Sequence, residues 1–212
     1  MNFFTAFFTW VLRGVFPPRP TEMLVQQTDV SMLLEFIRPC VVIPEVHDAV
    51  SARLSVPPAV TALLPYREPL VQACIIEAKF HDNVKAQQLL GKILQHHLEN
   101  KSCIALIPIP LGARRKKERG YNQVEEIAKF SGLPLASRLL RRTRETAPQT
   151  TLGKSARLAN MQNAFATSTE PDPHITYVIL DDVVTTGATL LGAREALLNA
   201  GVKQVILLAL AH

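Results

Sequence analysis

The amino-acid sequence predicts an α/β protein built on a mostly parallel sheet flanked by helices. Short apolar runs, typical of strands buried on both faces, alternate with stretches in which apolar residues recur at helical spacing. The chain has 212 residues, 48% of them hydrophobic, which is enough to bury the core of one domain with an appendage. Alternation favours parallel pairing because a helix is the usual crossover between two parallel strands.

The N-terminal part is predicted to be small and irregular. Phe3 to Phe16 is rich in aromatic residues and predicts a short amphipathic helix that ends at Pro17. Such a helix would pack on the body of the chain, associate with a second copy in a homo-oligomer, or contact a membrane surface. From Pro39 to Pro65 the pattern is irregular and interrupted by prolines, which indicates an extended subregion before the main domain.

The elements of the main domain follow in a regular order. Two packing helices come first, and then strands and helices alternate up to a last strand at the C-terminus. A glycine, Gly201, stands where a helix C-terminal glycine is expected. The expected elements are helices at Leu70–Ala78 and Leu90–Leu98, a strand at Cys103–Pro110, a helix at Asn122–Phe130, a strand at Tyr177–Leu180, a helix at Thr189–Ala200 and a strand at Val205–Leu210.

Composition excludes several classes of protein. The longest uncharged apolar stretch lies at the N-terminus and is shorter than the roughly 20 residues that a membrane-spanning helix needs. No basic start and small-residue cleavage site of a signal peptide is present, so a cytoplasmic location is expected. Cys40, Cys74 and Cys103 form no CxxC pair, which argues against a disulfide framework and a cysteine zinc site. Cys74 and Cys103 lie in apolar runs and are expected in the core.

The positive charge is concentrated in one segment. Ala113 to Asn160 holds 12 Lys and Arg against 4 Asp and Glu, although the net charge of the whole chain is only +5. A charge run is often only a solvated helix face, but this one has few acids to balance it. The segment therefore indicates a polyanionic partner, either phosphates or nucleic acid.

The candidate site is the stretch YVILDDVVTTGATLL from Tyr177 to Leu191. Asp181 and Asp182 follow a buried strand, and ligands of parallel sheets bind beyond the carboxyl ends of the strands. The TTGAT segment leads into a helix, so its N–H groups and hydroxyls can surround a phosphate. The acids would repel that phosphate unless they face sugar hydroxyls or a cation, and a ribose 5-phosphate satisfies both halves. A Walker A loop is excluded by Pro148, and no GxGxxG occurs.

The same stretch resembles the phosphoribosyl-pyrophosphate (PRPP) motif of type I phosphoribosyltransferases. IPIPLGARRKKERGYNQ at 107–123 and RRTRETAPQTTLGKSARLANMQNAF at 141–165 narrow the resemblance to the ComF family, named for a competence protein of bacterial DNA uptake. The resemblance extends from about Leu63 to the C-terminus and includes the segments around Tyr66 and Lys79. It implies a type I phosphoribosyltransferase-like sheet in a domain at 63–212. Residues 1–62 would form the N-terminal helix and a degenerate zinc-ribbon-like region.

The resemblance implies a role for each matching residue. The acidic pair Asp181 and Asp182 would hold the ribose hydroxyls. The residues expected around the 5-phosphate are Thr185, Thr186, Gly187, Ala188 and Thr189. The pyrophosphate would meet a first basic loop, with matching positions at Pro110, Arg114, Arg119, Gly120, Asn122 and Gln123. A later segment suited to a mobile flap matches at Arg142, Gln149, Arg157 and Asn160.

The implied activity is transfer of a ribosyl phosphate. A nitrogen nucleophile, nucleobase-like or otherwise, would displace pyrophosphate from C1 of PRPP. Mg²⁺, held by Asp181 and Asp182 directly or indirectly, and arginines such as Arg142 and Arg157 would stabilise the charge on the leaving group. No residue pattern identifies the acceptor.

A departure from the family pattern keeps a second function open. ComF proteins usually carry a four-cysteine zinc ribbon near the N-terminus, but only Cys40 stands in that region here, so no zinc is expected. The alternative to an enzyme is a non-catalytic protein of the same fold whose basic segment binds single-stranded DNA in competence and DNA uptake. Few aromatic residues in that segment are available to stack on bases.

Overall fold

The structure is a computed structural model and describes residues 17–44, 58–143 and 164–212. Seven strands and seven helices lie in these ranges. In chain order they are α1 (Pro20–Gln27), α2 (Val30–Leu34), β1 (Cys40–Val42), β2 (Val60–Leu64), α3 (Pro69–Phe80), α4 (Val84–Leu98), β3 (Ile104–Pro108), α5 (Ala113–Arg119), α6 (Gln123–Lys129), β4 (Leu140–Arg142), β5 (Phe165–Thr167), β6 (Thr176–Val183), α7 (Ala188–Asn199) and β7 (Val205–Ala211).

The main sheet has five strands in the order β1-β2-β7-β6-β3. β2, β7, β6 and β3 are mutually parallel, and β1 pairs antiparallel with β2 at one edge. The register places Ile179 of β6 between Leu207 of β7 and Ile107 of β3. The predicted α/β class with a mostly parallel sheet is therefore confirmed, and the carboxyl ends of β3, β6 and β7 meet at one edge.

Each face of the sheet carries its own hydrophobic core. Val178 and Leu180 of β6 point into a core shared with α3, α4 and α6. Tyr177 and Ile179 alternate to the other face, where they join residues of α7 and of the β4–β5 pair. This period-two alternation of buried side chains is what a strand covered on both faces requires.

Two close contacts join the outer elements to this frame. Gly91 of α4 lies so near α6 that a Cβ at this position would stand 2.8 Å from the carbonyl oxygen of Ile127. β4 and β5 form a separate antiparallel pair. The segment that precedes β4 pairs with β3 through a single parallel bridge between Leu135 and Leu106. Residues 144–163, outside the described residues, connect the two ends of this pair.

The N-terminal region forms part of the main body. Val25 of α1 and Leu33 of α2 are fully buried in the core that contains α3 and α4. The irregular subregion expected from Pro39 to Pro65 contains β1 and β2, because Pro58 and Pro65 flank β2 without interrupting it. β2 also crosses the domain boundary expected between residues 62 and 63. The helix expected at Phe3–Phe16 lies outside the described residues.

The expected elements of the main domain are present, but one of the two cysteines predicted in the core is exposed. The helices and strands expected between residues 70 and 210 are present with ends shifted by a few residues. Cys74 is buried, which raises the pKa of its thiol to about 12. The prediction that Cys103 lies in the core is wrong: β3 begins one residue later, and Cys103 is an exposed turn residue with φ of +52°. Within the described ranges, no helix has the length and apolar character needed to cross a membrane.

Candidate phosphoribosyl site

The acidic pair lies among the last three residues of β6, at the edge where the parallel strands end. Each carboxylate accepts a hydrogen bond from the backbone N–H of the next residue, Asp181 from Asp182 at 2.9 Å and Asp182 from Val183 at 2.8 Å. Adjacent strand residues point to opposite faces. The two carboxylates therefore have different surroundings although they are neighbours in sequence.

The Asp182 carboxylate is enclosed by protein groups. The residue is only 5% exposed. Its Oδ2 lies 2.8 Å from the Lys79 ammonium and accepts a hydrogen bond from the Gln123 side-chain amide at 2.9 Å. Burial alone would raise the pKa of this carboxyl, but Lys79 and these hydrogen bonds hold its pKa below the usual range. Asp182 is thus an ionised carboxylate whose oxygens are already satisfied.

Asp181 is a half-buried residue and forms no salt bridge with another described residue. Burial and the neighbouring negative charge of Asp182 raise the pKa of Asp181. A carboxylate in this situation gains most from a hydroxyl donor or a cation supplied by a ligand. Of the two predicted ribose contacts, Asp181 is the one that the protein leaves available.

The loop after β6 leads into α7 through a glycine in the left-handed region. Gly187 has φ of +72° and is the N-cap residue of α7, with no side chain capping the first N–H groups. A Cβ on Gly187 would lie 2.8 Å from Cγ of Pro44, so no other residue fits without movement. Helix N–H groups left without side-chain partners at a positive helix end favour an anion. The loop therefore retains what phosphate binding requires.

The first basic loop is folded as α5 and the start of α6, and its side chains reach toward Asp182. Arg119 donates a hydrogen bond to the Gln123 side-chain oxygen at 3.0 Å, and the amide of Gln123 in turn binds Asp182. Asn122 caps α6 and donates to the Ile109 carbonyl oxygen at 3.0 Å. Gly120 ends α5 with φ of +79°. Two of the predicted pyrophosphate residues, Arg119 and Gln123, are thus linked to Asp182 through one hydrogen-bonded chain.

Tyr121 fixes the same loop to α3. Its hydroxyl donates to the Ala78 carbonyl oxygen at 3.0 Å and accepts from the Asp82 N–H at 2.9 Å. These two hydrogen bonds hold the end of α3, where Lys79 lies, against the loop. The position of Lys79 beside Asp182 therefore depends on tertiary contacts as well as on its own helix.

A cavity of about 840 Å³ lies between α5, the start of α6 and the β4–β5 pair. Four predicted site residues, Pro110, Gly120, Asn122 and Arg142, line it together with other basic and hydroxyl side chains. The Arg142 guanidinium lies 5.3 Å from the centre of the Phe165 ring. Arg114, by contrast, pairs with Glu118 on the exposed face of α5 at 2.7 Å.

The structure brings most of the predicted site residues to one edge of the sheet and leaves some outside. Gln149, Arg157 and Asn160 lie outside the described residues. Three residues that were not predicted as site residues belong to it: Pro44 against the phosphate loop, Lys79 on Asp182, and Phe80 beside Arg119. The AKF segment, which carries part of the family resemblance, was the available signal for Lys79 and Phe80. No sequence pattern pointed to Pro44.

A resident metal has few ligands here. The described parts of the chain contain no group of three or more His, Cys, Asp or Glu able to hold an ion. Mg²⁺, however, is commonly bound by one or two carboxylates together with substrate phosphates and water. Asp181 fits that role because it is partly exposed and not paired to Lys79. The site therefore suits a metal that arrives with an anionic ligand.

Known proteins similar to this chain carry names linked to competence and DNA use. Competence protein F of Haemophilus influenzae is 33% identical over 155 residues, covering 66% of this chain and 66% of that protein. The DNA utilization protein YhgH of Salmonella typhi is 36% identical over 104 residues, covering 47% and 45%. Competence protein ComFC of Bacillus subtilis is 35% identical over 96 residues, covering 45% and 39%. The chain thus spans between about two fifths and two thirds of the length of these relatives.

The chain belongs to the ComF family, as its resemblance to that family predicts. No protein-family model matches it. Among solved structures, the allosteric regulatory enzyme of purine biosynthesis aligns with 65% of this chain and 30% of that chain, with a TM-score of 0.40 and 15% identity.

Proposed function

We propose that the chain binds PRPP with Mg²⁺ and transfers its ribosyl phosphate to a nitrogen nucleophile, releasing pyrophosphate. The observation that carries this proposal is the unit at the end of β6. A partly exposed Asp181 stands a few residues before a left-handed Gly187, which opens α7 with uncapped N–H groups. A sugar with hydroxyls at one end and a phosphate at the other matches both parts of this unit.

Each of the three parts of PRPP has a group of protein residues suited to it. The 5-phosphate would lie on the loop from Thr185 to Thr189, and the ribose hydroxyls would bind Asp181. The pyrophosphate would face α5 and the start of α6, where Arg119 is oriented by Gln123. Mg²⁺ would supply charge stabilisation for the leaving pyrophosphate. Arg119 adds a fixed positive charge beside it and thereby lowers the cost of leaving-group charge.

Calorimetry with ribose 5-phosphate, and with PRPP in the presence of Mg²⁺, tests the proposal. We expect both ligands to bind. The double variant Asp181→Asn with Asp182→Asn should bind each at least tenfold more weakly while remaining folded, because an amide oxygen replaces the charged acceptor of the ribose hydroxyls and hydrogen bonds to a charged acceptor are stronger. Equal affinity in the double variant and the unaltered chain would remove the ribose contacts from the proposal.

A screen for the acceptor tests the transfer itself. Nucleobases and related heterocyclic amines are incubated with the protein, PRPP and Mg²⁺, and pyrophosphate release is measured. Release above the hydrolysis background with at least one compound supports an enzyme. Binding of PRPP without release for any compound favours a protein that only binds the ligand.

The second candidate function is single-stranded DNA binding without catalysis. Two observations favour it: the relatives are named for competence and DNA utilization, and α5 exposes a run of basic residues from Arg114 to Lys117. Salt-dependent contacts of such side chains with phosphates need no sequence-specific readout. The basic segment would then follow an extended backbone instead of a compact pyrophosphate.

Single neutralisations separate the two functions. Arg119→Leu should weaken PRPP much more than ribose 5-phosphate if Arg119 faces pyrophosphate, since only PRPP carries that group. The same reasoning applies to Arg114, Arg142 and Arg157. A DNA-binding role instead predicts a modest loss of DNA affinity and a salt slope smaller by about one unit per lost contact. Lys203→Gln, an exposed change at the opposite edge of the sheet, serves as the control.

A further inference from the structure

An exposed aromatic ring stands at the rim of the candidate site. Phe80 is the last residue of α3 and is 59% exposed, whereas the other aromatic residues of the described ranges are buried or half-buried. A single exposed apolar side chain is ordinary on a protein surface. What distinguishes Phe80 is the set of charged residues around its ring.

Both residues that flank the ring also belong to the chain of contacts on Asp182. The Lys79 ammonium lies 6.0 Å from the ring centre and 2.8 Å from Asp182 Oδ2. The Arg119 guanidinium lies 5.1 Å from the ring centre and is bonded to Gln123, which binds Asp182. The ring is therefore held close enough to the acidic pair for one nucleoside-sized ligand to touch both.

A ring in this position has a definite chemical preference. Its face accepts another planar π-system, and such stacking is tolerant of the identity of the heterocycle because every base has a π-face. The adjacent guanidinium is planar and can stack in the same way. An aliphatic side chain at residue 80 would provide apolar area without this geometry.

Resting on the proposed function, we propose that Phe80 is the stacking platform for the acceptor and that the acceptor is a planar nitrogen heterocycle. The ribosyl phosphate is held at the end of β6, and the heterocycle lies against the Phe80 ring. Phe80 thereby determines the class of acceptor, while the TTGAT loop and Asp181 hold the part common to all ligands.

Nucleoside 5′-monophosphates test this arrangement because they join a heterocycle to the same ribose 5-phosphate. Affinities of ribose 5-phosphate and of adenosine, guanosine and uridine 5′-monophosphates are measured by calorimetry. We expect at least one monophosphate to bind about tenfold more tightly than ribose 5-phosphate, the gain that one stacked base typically provides. None of these ligands carries pyrophosphate, so the proposed contact of Arg119 with pyrophosphate plays no part in the comparison.

Variants of residue 80 assign that gain to the ring. Phe80→Leu should reduce the monophosphate to the affinity of ribose 5-phosphate, and Phe80→Trp should preserve the difference. Ribose 5-phosphate itself should bind equally in all three proteins. Val84→Ala, a change at an aliphatic side chain exposed to a similar extent (53%), is the control for loss of apolar surface.

The outcomes separate this inference from the proposed function. An advantage of the monophosphate that survives Phe80→Leu overturns the platform, as does the absence of any advantage in the unaltered chain. In both cases binding of ribose 5-phosphate leaves the proposed function standing. If ribose 5-phosphate does not bind the unaltered chain, the proposed function fails and this inference fails with it.

Discussion

Two buried carboxylates, Glu77 and Asp182, lie near the same end of α3 and are stabilised in different ways. Glu77 belongs to α3 itself and faces the N-terminal helix α1. Asp182 belongs to β6 and is reached from α3 by Lys79, two residues beyond Glu77. The comparison separates an acid that holds two parts of the fold together from an acid that belongs to the candidate site.

Glu77 is satisfied entirely by protein groups. Its side chain is 0% exposed, and Arg19 binds it through two hydrogen bonds of 3.0 and 2.8 Å. Thr21 and Asn83 donate to the same carboxylate at 2.7 and 3.2 Å. These hydrogen bonds, with that from Arg19 the largest, lower the pKa of Glu77 to about 2. Nothing remains for a ligand, so this network anchors the N-terminal region.

Asp182 is equally well satisfied, but the carboxylate beside it is not. Lys79 and Gln123 compensate one negative charge of the pair, while Asp181 stays partly exposed next to the phosphate loop. The difference teaches that burial of an acid does not by itself mark a site. A site is marked where the protein neutralises one of two adjacent charges and leaves the other accessible.

The largest effect is expected from removing Arg19. Arg19→Met leaves Glu77 buried without its cation, and loss of one partner of a buried pair costs several kcal/mol. Because Arg19 is itself 45% exposed and Thr21 and Asn83 remain, we expect the free energy of unfolding to fall by about 2–3 kcal/mol. Denaturant unfolding measures this value. Affinity for ribose 5-phosphate should not change.

The control is Arg38→Met, which removes another exposed arginine of the N-terminal region and should alter stability by no more than about 0.5 kcal/mol. Equal stability of the Arg19 and Arg38 variants would contradict the anchoring role of Glu77. A drop in ligand affinity confined to the Arg19 variant would show that the Glu77 network also supports ligand binding, and would contradict the distinction between the two acids.

A smaller effect, but one on binding, is expected at Lys79. Lys79→Met leaves two uncompensated carboxylates beside an anionic ligand, and we expect ribose 5-phosphate to bind about tenfold more weakly. Adding Asp182→Asn to Lys79→Met removes the extra charge and should recover most of the affinity. Lys79→Arg should retain the pairing and bind nearly as well as the unaltered chain.

Calorimetry on the two single variants and the double variant yields the coupling between residues 79 and 182. Losses that simply add in the double variant would mean that Lys79 acts on the ligand directly. Thermal melts of the same variants separate loss of binding from loss of folded protein.

The sequence predicts the sheet better than it predicts the site. The alternation of apolar runs was sufficient for β3, β6, β7 and the helices between them, because these elements are buried on regular faces. β2 was missed because prolines on both sides resemble a loop. The β4–β5 pair is too short, at three residues a strand, to show a period.

In the site, the residues close together in sequence were predictable and their distant partners were not. The acidic pair and the TTGAT loop form one continuous motif. Lys79 precedes Asp182 by about a hundred residues, and the two are brought together by the core that α3 shares with β6 and by the hydrogen bond from Tyr121 to Ala78. The local pattern also treated the two aspartates as equivalent, since nothing in the motif states which of them pairs with a lysine of another element.

The pH dependence of stability provides a more modest test of Glu77. Its carboxyl titrates near pH 4.3 when unfolded and has a pKa of about 2 when folded, so it adds stability above about pH 4.3. That contribution is lost as the pH falls toward 2. We expect Glu77→Gln to remove about 1–2 kcal/mol of the decline in unfolding free energy over this window, a figure reduced for the exposure of Arg19.

Urea unfolding at pH 5.5, 4 and 3 measures the two slopes. A variant that keeps the full acid dependence of the unaltered chain would show that other carboxylates carry it. Glu22→Gln, which removes the half-buried acid paired with Arg19 at 3.1 Å, is the matched control and should keep most of the slope.

No effect at all is expected from removing metal. If the Glu77 network anchors the N-terminal region, that region needs no zinc. Cys40 is exposed on β1, Cys74 is buried in α3 and Cys103 precedes β3. Structural zinc requires four ligands and contributes directly to folding. The melting temperature should therefore be the same with and without chelator, and elemental analysis should find no stoichiometric zinc. A lowered melting temperature in chelator, together with one zinc per chain, would mean that a metal shares the anchoring role assigned to Arg19 and Glu77.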